Sequence, residues 1–275
     1  MTDDGQRAAA TKLFEEALAM HRHSLGEKHL RTITNMNLLA NHHLMMGDPD
    51  RADAIFQQLQ PIERELYPDD IQTARTLQGL SCGLVRRNRA QEALPLAEEA
   101  LGIAIQREGP DSMEAALAHS SVAEAHRSMG SGARALPLYR RARALYQKAM
   151  GPDNPRVTTL LSQEGLILMQ DGKLALAEQS MTQAVQSLSQ SCPGCLVELA
   201  ITQSNLGLLH VRQKRYREAD EAYSAVIELR EKFAVSPGLE LAEALQSLAE
   251  VREKEHRFDD AARLNTRAQM IRAYR

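Results

Sequence analysis

Two cysteines form the sharpest chemical motif in the sequence. Cys192 and Cys195 are separated by Pro-Gly, and this spacing suits a disulfide, a redox dithiol or half of a zinc site. Zinc needs two further ligands, and the third cysteine, Cys82, lies far away in the sequence. A redox dithiol usually lies in a strand-loop-helix setting, which is missing here. A turn with two thiols and a local disulfide are the two main readings, and catalysis is a distant third.

The other reactive side chains do not form a catalytic or metal-binding pattern. The sequence has 9 histidines, but His43, His126 and His210 recur at spacings of 83 and 84 residues, which indicates a structural position rather than a ligand set. No Walker A loop and no Gly-x-Gly-x-x-Gly sequence is present. The Gly-x-Ser-x-Gly spacing at Gly79–Gly83 falls inside a predicted helix, about 70–87, and not at the strand-to-helix turn that a catalytic serine needs. We therefore predict a protein that is not an enzyme and that has no catalytic residue, metal or cofactor.

Small residues that recur about every 42 positions determine the architecture. An alanine series shows this period along the whole chain, and a second series follows it by seven residues. A third series, which is small at every member, precedes it by twelve. Small side chains allow two helices to approach closely, so we infer that the first and third series face each other inside helical hairpins. The alanine series is Ala10, Ala52, Ala93, Ala135, Ala177, Ala219 and Ala261, and the third series is Ala40, Ser81, Ala123, Gly165, Gly207 and Ala249.

The helical periodicity predicts one leading helix followed by six hairpins. The leading helix covers 5–24, and Gly and Pro residues separate the elements that follow. We expect the Asp that follows each junction Pro to cap the next helix. By register, the leading helix is the second helix of a pair, so it is either a cap or the remnant of a longer chain. The predicted repeats are about 30–69, 70–111, 112–153, 154–194, 195–237 and 238–275 of a single domain, 1–275.

These positions resemble the tetratricopeptide repeat. The best match is Asn205-Leu206-Gly207 followed by Tyr216, Ala219 and Tyr223. The long period and junctions such as Leu25-Gly26-Glu27-Lys28-His29 are similar to the kinesin light chain type of repeat. The resemblance implies an all-α fold, a right-handed α–α superhelix, whose first helices line a concave groove that binds a peptide or a helix of a partner protein.

The resemblance places the binding residues on the first helix of each hairpin, three positions before and one position after the small residue. Amide and hydroxyl groups there can bond to a peptide backbone. Arginines would make the early part of the groove basic, apolar residues would line the fourth and fifth units, and glutamates would make the last unit acidic. Replacing Asn37 and Asn41 is expected to weaken binding without changing stability. The predicted groove residues are Asn37, Asn41, Arg75, Gln78, Arg86, Ser120, Glu124, Arg127, Ser162, Leu166, Met169, Ser204, Leu208, Val211, Gln246 and Glu250.

Composition narrows the classes of partner. The formal net charge is -3 and only 4% of residues are aromatic, so neither a basic field nor a stacking platform is available for nucleic acid. No apolar run is long enough for a membrane span, and the acidic start lacks a signal peptide. We expect a cytoplasmic protein, or a periplasmic or secreted one if a signal peptide was removed and Cys192 and Cys195 form a disulfide.

A second functional hypothesis stays open beside peptide binding. The chain could be the sensor or scaffold arm of a larger signalling protein, or it could self-associate through its leading helix. In that case another chain or a missing helix would bury Phe14 and Leu18, and a homodimer would form through the N-terminal helix.

Overall fold

A computed structural model of the chain describes residues 3–46, 48–192, 194–233 and 238–273. These residues form one leading helix and six helical hairpins without a strand, so the all-α prediction is confirmed. The leading helix, predicted over 5–24, is observed over Asp3–Leu25. The helices are α1 Asp3–Leu25, α2 Leu30–Met45, α3 Pro49–Leu66, α4 Ile71–Arg86, α5 Ala90–Glu108, α6 Met113–Ser128, α7 Gly132–Met150, α8 Pro155–Gln170, α9 Leu174–Ser191, α10 Leu196–Arg212, α11 Tyr216–Phe233, α12 Leu239–Lys254 and α13 Phe258–Ala273.

The chain divides into two compact units, Met1–Leu145 and Tyr146–Arg275. In the first unit, α1 packs on α2 and each later helix packs on its chain neighbours up to α6. In the second unit, α8 to α13 pack in the same successive manner. First helices also contact one another, as α2 does with α4 and α8 with α10. The prediction of one domain over 1–275 remains a prediction.

The small residues lie where two helices approach closely, as predicted. A Cβ atom added to Gly165 would lie 2.7 Å from Met181 Cγ and 3.3 Å from the carbonyl oxygen of Ala177. In the next hairpin, a Cβ on Gly207 would lie 3.0 Å from the ring of Tyr223. The inference that the two small series face each other inside a hairpin is therefore confirmed for Gly165 and Ala177. The bulky residue four positions after the alanine covers the small position.

The helix caps differ from the prediction by one residue. Asp70, Ser112 and Asn154 accept a hydrogen bond from a backbone N–H in the first turn of α4, α6 and α8, and each follows the aspartate that we expected to be the cap. The aspartates bond elsewhere instead. Asp111 accepts from Arg141 at 2.6 Å and Asp153 accepts from the Ser187 hydroxyl at 3.0 Å, so they tie a junction to the second helix of the following hairpin.

The leading helix packs on the first hairpin rather than offering the residues we expected for self-association. Leu18 is buried and Phe14 packs against the same cluster, which contains Ile33 and Phe56. The expectation that Phe14 and Leu18 await another chain is therefore wrong, because α2 already covers them. The exposed large apolar residues of α1 are Leu13, Met20 and Leu25. A homodimer through this helix remains a prediction.

Two helical glycines provide a test of the close packing. A Cβ on Gly79 would lie 2.2 Å from Cζ of the fully buried Phe56, whereas a Cβ on the exposed Gly102 would meet nothing within 4 Å. We expect Gly79→Ala to lower the free energy of unfolding, because overpacking costs about 1–3 kcal/mol. We expect Gly102→Ala to raise it by up to about 1 kcal/mol through helix propensity. Urea unfolding followed by circular dichroism measures both, and equal midpoints would contradict the packing described.

Candidate functional site

The exposed side of each first helix follows a regular pattern. In α10, Val197, Ile201 and Leu208 are 59%, 47% and 40% exposed. They are separated by four and seven residues, so they lie on one face of the helix. We call these three residues the α10 row. The small residue of this helix is Gly207. Val197 lies ten residues before it, Ile201 lies six residues before it, and Leu208 lies one residue after it. The position one after the small residue is therefore accessible here, as predicted.

The position three before the small residue is buried in three of the six first helices. Asn37, Gln78 and Ser162 are buried, so their placement on an accessible groove is wrong. Met169 is also buried and belongs to the core. The remaining predicted residues retain some exposure. Asn41, Arg86, Leu208 and Glu250 are exposed, whereas Arg75, Ser120, Glu124, Arg127, Leu166, Ser204, Val211 and Gln246 are half-buried.

Neighbouring first helices use the inward polar side chains to bind each other. Asn37 donates to Glu63 Oε1 at 3.2 Å and accepts from Thr76 Oγ1 at 2.9 Å, which links α2, α3 and α4. In the second unit, Asn205 of α10 donates to Ser162 Oγ of α8 at 3.2 Å. Asn37, Asn205 and Ser162 therefore make their hydrogen bonds inside the fold. The expectation that Asn37 can be replaced without changing stability is wrong, because Asn37 is buried and holds Glu63 and Thr76.

Glu63 is a buried carboxyl group that the sequence analysis missed. Its side chain is fully buried, and Oε2 has no hydrogen-bond partner among the described residues. Burial raises the pKa of Glu63, although the hydrogen bonds from Thr76 and Asn37 oppose this shift. The only signal in the sequence is a charged residue four positions after Leu59, on the buried face of α3.

In the first unit, two of the three predicted groove arginines, Arg75 and Arg127, lie in ion pairs, so the predicted basic stretch is partly neutralised. Arg75 of α4 bonds to Glu114 of α6 at 2.8 Å. Arg127 bonds through Nε to Glu124 Oε2 at 3.0 Å, and Glu124 also accepts from the Tyr139 hydroxyl. Burial and the neighbouring Glu124 raise the pKa of Tyr139. Arg86 is the exposed arginine of the predicted set, and it pairs with no acid among the described residues.

The second unit presents a different surface. On α8, the positions that correspond to Ile201 and Leu208 hold the neutral residues Thr159 and Leu166. On α12, the same positions hold Glu243 and Glu250, both exposed, and we call these two residues the α12 row. Val197 was missed by the sequence analysis, although its place one helical turn before Ile201 could have identified it.

The cysteine motif forms a local link between two helices. A disulfide joins Cys192, which follows α9, to Cys195, which precedes α10, and their Cα atoms are 5.3 Å apart. Cys195 also donates its backbone N–H to the Cys192 carbonyl at 2.9 Å, so the motif is both a turn and a disulfide. Cys82 is an exposed free thiol.

The recurring histidines are packing residues, as the sequence indicated. His43, His126 and His210 are all buried, and burial lowers the pKa of His43. Among the described residues, no three His, Cys, Asp or Glu side chains gather as a candidate metal site. None of the helices described is long and apolar enough to cross a membrane.

Comparison with known families agrees with this repeat geometry. Models of the tetratricopeptide repeat match residues 2–65, 73–112, 114–190 and 198–272. The chain belongs to the tetratricopeptide repeat family. Membership indicates a protein-interaction scaffold. None of the curated proteins matches the chain.

Solved structures share the tetratricopeptide fold at low sequence identity. BtubC (BKLC) from P. vanneervenii is 19% identical with a TM-score of 0.64, and the match covers 95% of this chain and 91% of that one. A Podosopora anserina protein assigned as a kinesin light chain is 17% identical with a TM-score of 0.61, over 76% and 98%. The quorum sensor NprR from B. thuringiensis is 15% identical with a TM-score of 0.73, over 98% and 71%. The predicted kinesin light chain type of repeat is thus confirmed at the level of the fold.

Two asparagines of α2 provide a test of which predicted groove positions are buried and which are accessible. Asn37→Ala is expected to lower the free energy of unfolding by about 1–3 kcal/mol, because it leaves Glu63 and Thr76 without their partner. Asn41 is exposed and bonds only to the carbonyl of Asn37 at 2.9 Å within its own helix, so Asn41→Ala should change stability by less than about 0.5 kcal/mol. Chemical denaturation of both variants decides the point, and a stable Asn37→Ala protein would refute the buried network.

Glu63 gives stability a specific dependence on pH. Because the pKa of Glu63 is raised on folding, the unfolded chain releases this proton at lower pH than the folded chain does. Its contribution to stability is therefore present below the unfolded pKa of about 4.3 and is lost as pH rises toward the folded pKa. We expect Glu63→Gln to unfold at a higher denaturant concentration than the wild type at pH 7, with the difference vanishing near pH 4. Glu98→Gln, on an exposed position of α5, is the control, and a pH-independent difference for Glu63→Gln would contradict the assignment.

Proposed function

We propose that this tetratricopeptide protein is a non-catalytic interaction module that binds a segment of a partner protein on the α10 row. The observation that carries the proposal is the exposure of Val197, Ile201 and Leu208 on one helix face. Isolated exposed apolar residues are ordinary, but aligned ones are typical of a partner-binding surface. Membership of the family supports an interaction role, because tetratricopeptide repeats form scaffolds for protein interaction.

The row alone supports modest affinity. Complete burial of one such side chain is worth about 1.5–3 kcal/mol, and these three side chains are already about half covered. Burying the rest therefore contributes roughly 1 kcal/mol per residue. A dissociation constant of 1 mM already requires about 4.1 kcal/mol, so polar contacts from neighbouring helices must supplement the row. Ser204 lies half-buried between Ile201 and Leu208 and keeps its place as a candidate for such a contact.

The charged groups support a binding role rather than catalysis. Glu124 and Glu178 are two half-buried carboxylates whose pKa is lowered. Hydrogen bonds from Arg127 and Tyr139 outweigh burial at Glu124, and a hydrogen bond from Gln213 together with Arg215 acts on Glu178. Each carboxylate is therefore held in an ion pair that fixes helix packing, which leaves it unsuited to proton transfer.

In the first unit, Asn41 and Arg86 remain candidates for a separate contact. Both are exposed on first helices, and Arg86 could select an acidic group because it carries an unpaired guanidinium among the described residues. Since Arg75 and Arg127 are occupied by Glu114 and Glu124, we assign this contact a smaller share of the binding than the α10 row.

A charge placed in the α10 row tests the proposal. We would select a random 16-residue peptide library on the immobilised wild type and on the Ile201→Glu/Leu208→Glu variant. Peptides selected on the wild type should bind the variant at least about tenfold more weakly than they bind the wild type. The reason is that each introduced carboxylate must be desolvated on binding. Leu176→Glu is the control, since Leu176 is comparably exposed but lies on the second helix α9.

The folded state of each variant is checked by circular dichroism and thermal unfolding. Equal enrichment and affinity on the wild type and on the Ile201→Glu/Leu208→Glu variant would reject the α10 row as the binding surface. Loss of binding by Leu176→Glu alone would move the surface to the second helices.

A further inference from the structure

We propose that the segment bound on the α10 row carries a lysine or arginine about three residues away from its apolar side chains, on one side only. The inference rests on the proposed function and names the chemistry of its partner. It starts from the α12 row, Glu243 and Glu250, which lies next to the α10 row and differs from it in charge.

The two rows occupy corresponding positions on adjacent helices. Glu243 follows Ile201 by 42 residues, and Glu250 follows Leu208 by the same interval. Ala200 of α10 belongs to the same buried cluster as Leu241 and Leu245 of α12, so both helices pack around one core, which Tyr223 and Val226 of α11 also line. A segment that crosses α10 at the level of its apolar row therefore reaches α12 at the level of its glutamates.

The glutamates of the α12 row have no cation of their own. Both are exposed, and neither forms an ion pair with any residue that the structure describes. The arginine of α12 is not available to them, because Arg252 bonds to Asp220 of α11 at 2.9 Å. Lys254 lies one turn beyond Glu250, at the carboxyl end of the helix. The two carboxylates are thus accessible to a cation that a partner supplies.

The opposite flank of the α10 row is neutral. On α8, the corresponding residues are Thr159 and the half-buried Leu166. At the positions level with the α10 row, a partner segment therefore meets negative charge on α12 and no charge on α8. Beyond the row, Arg212 of α10 donates to the Met169 carbonyl of α8 at 3.4 Å, so this cation also lies on the α8 side. The recognised pattern is asymmetric, with apolar residues at one end and a basic residue at the other.

The helix spacing sets the distance between the two parts of the pattern. Packed helices lie about 8–10 Å apart, and an extended chain advances about 3.3 Å per residue. An extended segment that crosses from α10 to α12 covers this distance in about three residues. The first unit offers no equivalent row of accessible carboxylates, because Glu114 of α6 pairs with Arg75 of α4.

The peptide selection described above tests this inference when it is repeated on a charge-reversed protein. Peptides enriched by the wild type should contain lysine or arginine about three residues from an apolar pair. The Glu243→Lys/Glu250→Lys variant should enrich aspartate or glutamate at that place. For one synthetic wild-type peptide, the charge-reversed variant should bind about tenfold more weakly in 50 mM NaCl, and the difference should shrink in 500 mM NaCl because salt screens exposed charges.

Glu221→Lys/Glu228→Lys is the matched control. Its two glutamates are also exposed and also seven residues apart, but they lie on the second helix α11, so the net charge changes equally. Neutral or acidic peptides on the wild type, or equal loss of affinity in the control, would overturn the inference while leaving the α10 row intact. If the wild type enriches nothing beyond the Ile201→Glu/Leu208→Glu variant, the proposed function fails and the inference with it.

Discussion

The close approach of paired helices is the constraint on which the other features depend. Gly165 of α8 has no room for a Cβ because Met181 and the backbone of Ala177 in the paired helix α9 lie against it. Gly79 of α4 is closed off by Phe56 of α3, which belongs to the preceding hairpin. Protein interiors are packed densely enough that one added methyl group is felt. Each hairpin therefore has one permitted pairing of its two helices. That pairing determines which face of the first helix points outward, and hence where a partner can bind.

The outward face of the first helices differs between the two units in a way that bears on recognition. In the first unit, arginines and glutamates of neighbouring helices satisfy one another, as Arg75 and Glu114 do. In the second unit, the α10 row is apolar and the α12 row carries unpaired carboxylates. Internal ion pairs add rigidity but leave little net charge for a ligand, whereas accessible apolar and acidic groups remain available. Our proposal therefore assigns selectivity for a partner to the second unit.

Polar side chains between neighbouring first helices serve the packing rather than the surface. The Asn37 side chain connects α2 to Glu63 and Thr76, and Asn205 connects α10 to Ser162. Buried hydrogen bonds of this kind contribute little net energy when they are made but cost more when one partner is removed. They specify how one hairpin stacks on the next. The burial of Glu63, with its raised pKa, shows that this specificity carries an electrostatic cost.

The sequence by itself determined the helices, the hairpins and the facing of Gly165 and Ala177, because small residues that repeat every 42 positions allow two helices to approach closely. It also indicated correctly that Leu208 and Asn41 are accessible and that His43 is buried. Only the tertiary structure decided that Asn37 lies inside while Asn41 lies outside. The two are four residues and about 40° apart on the helix, and the covering of one of them depends on the neighbouring first helix. Likewise, the pairing of Arg75 with Glu114 joins residues 39 apart in the chain, and only packing brings them together.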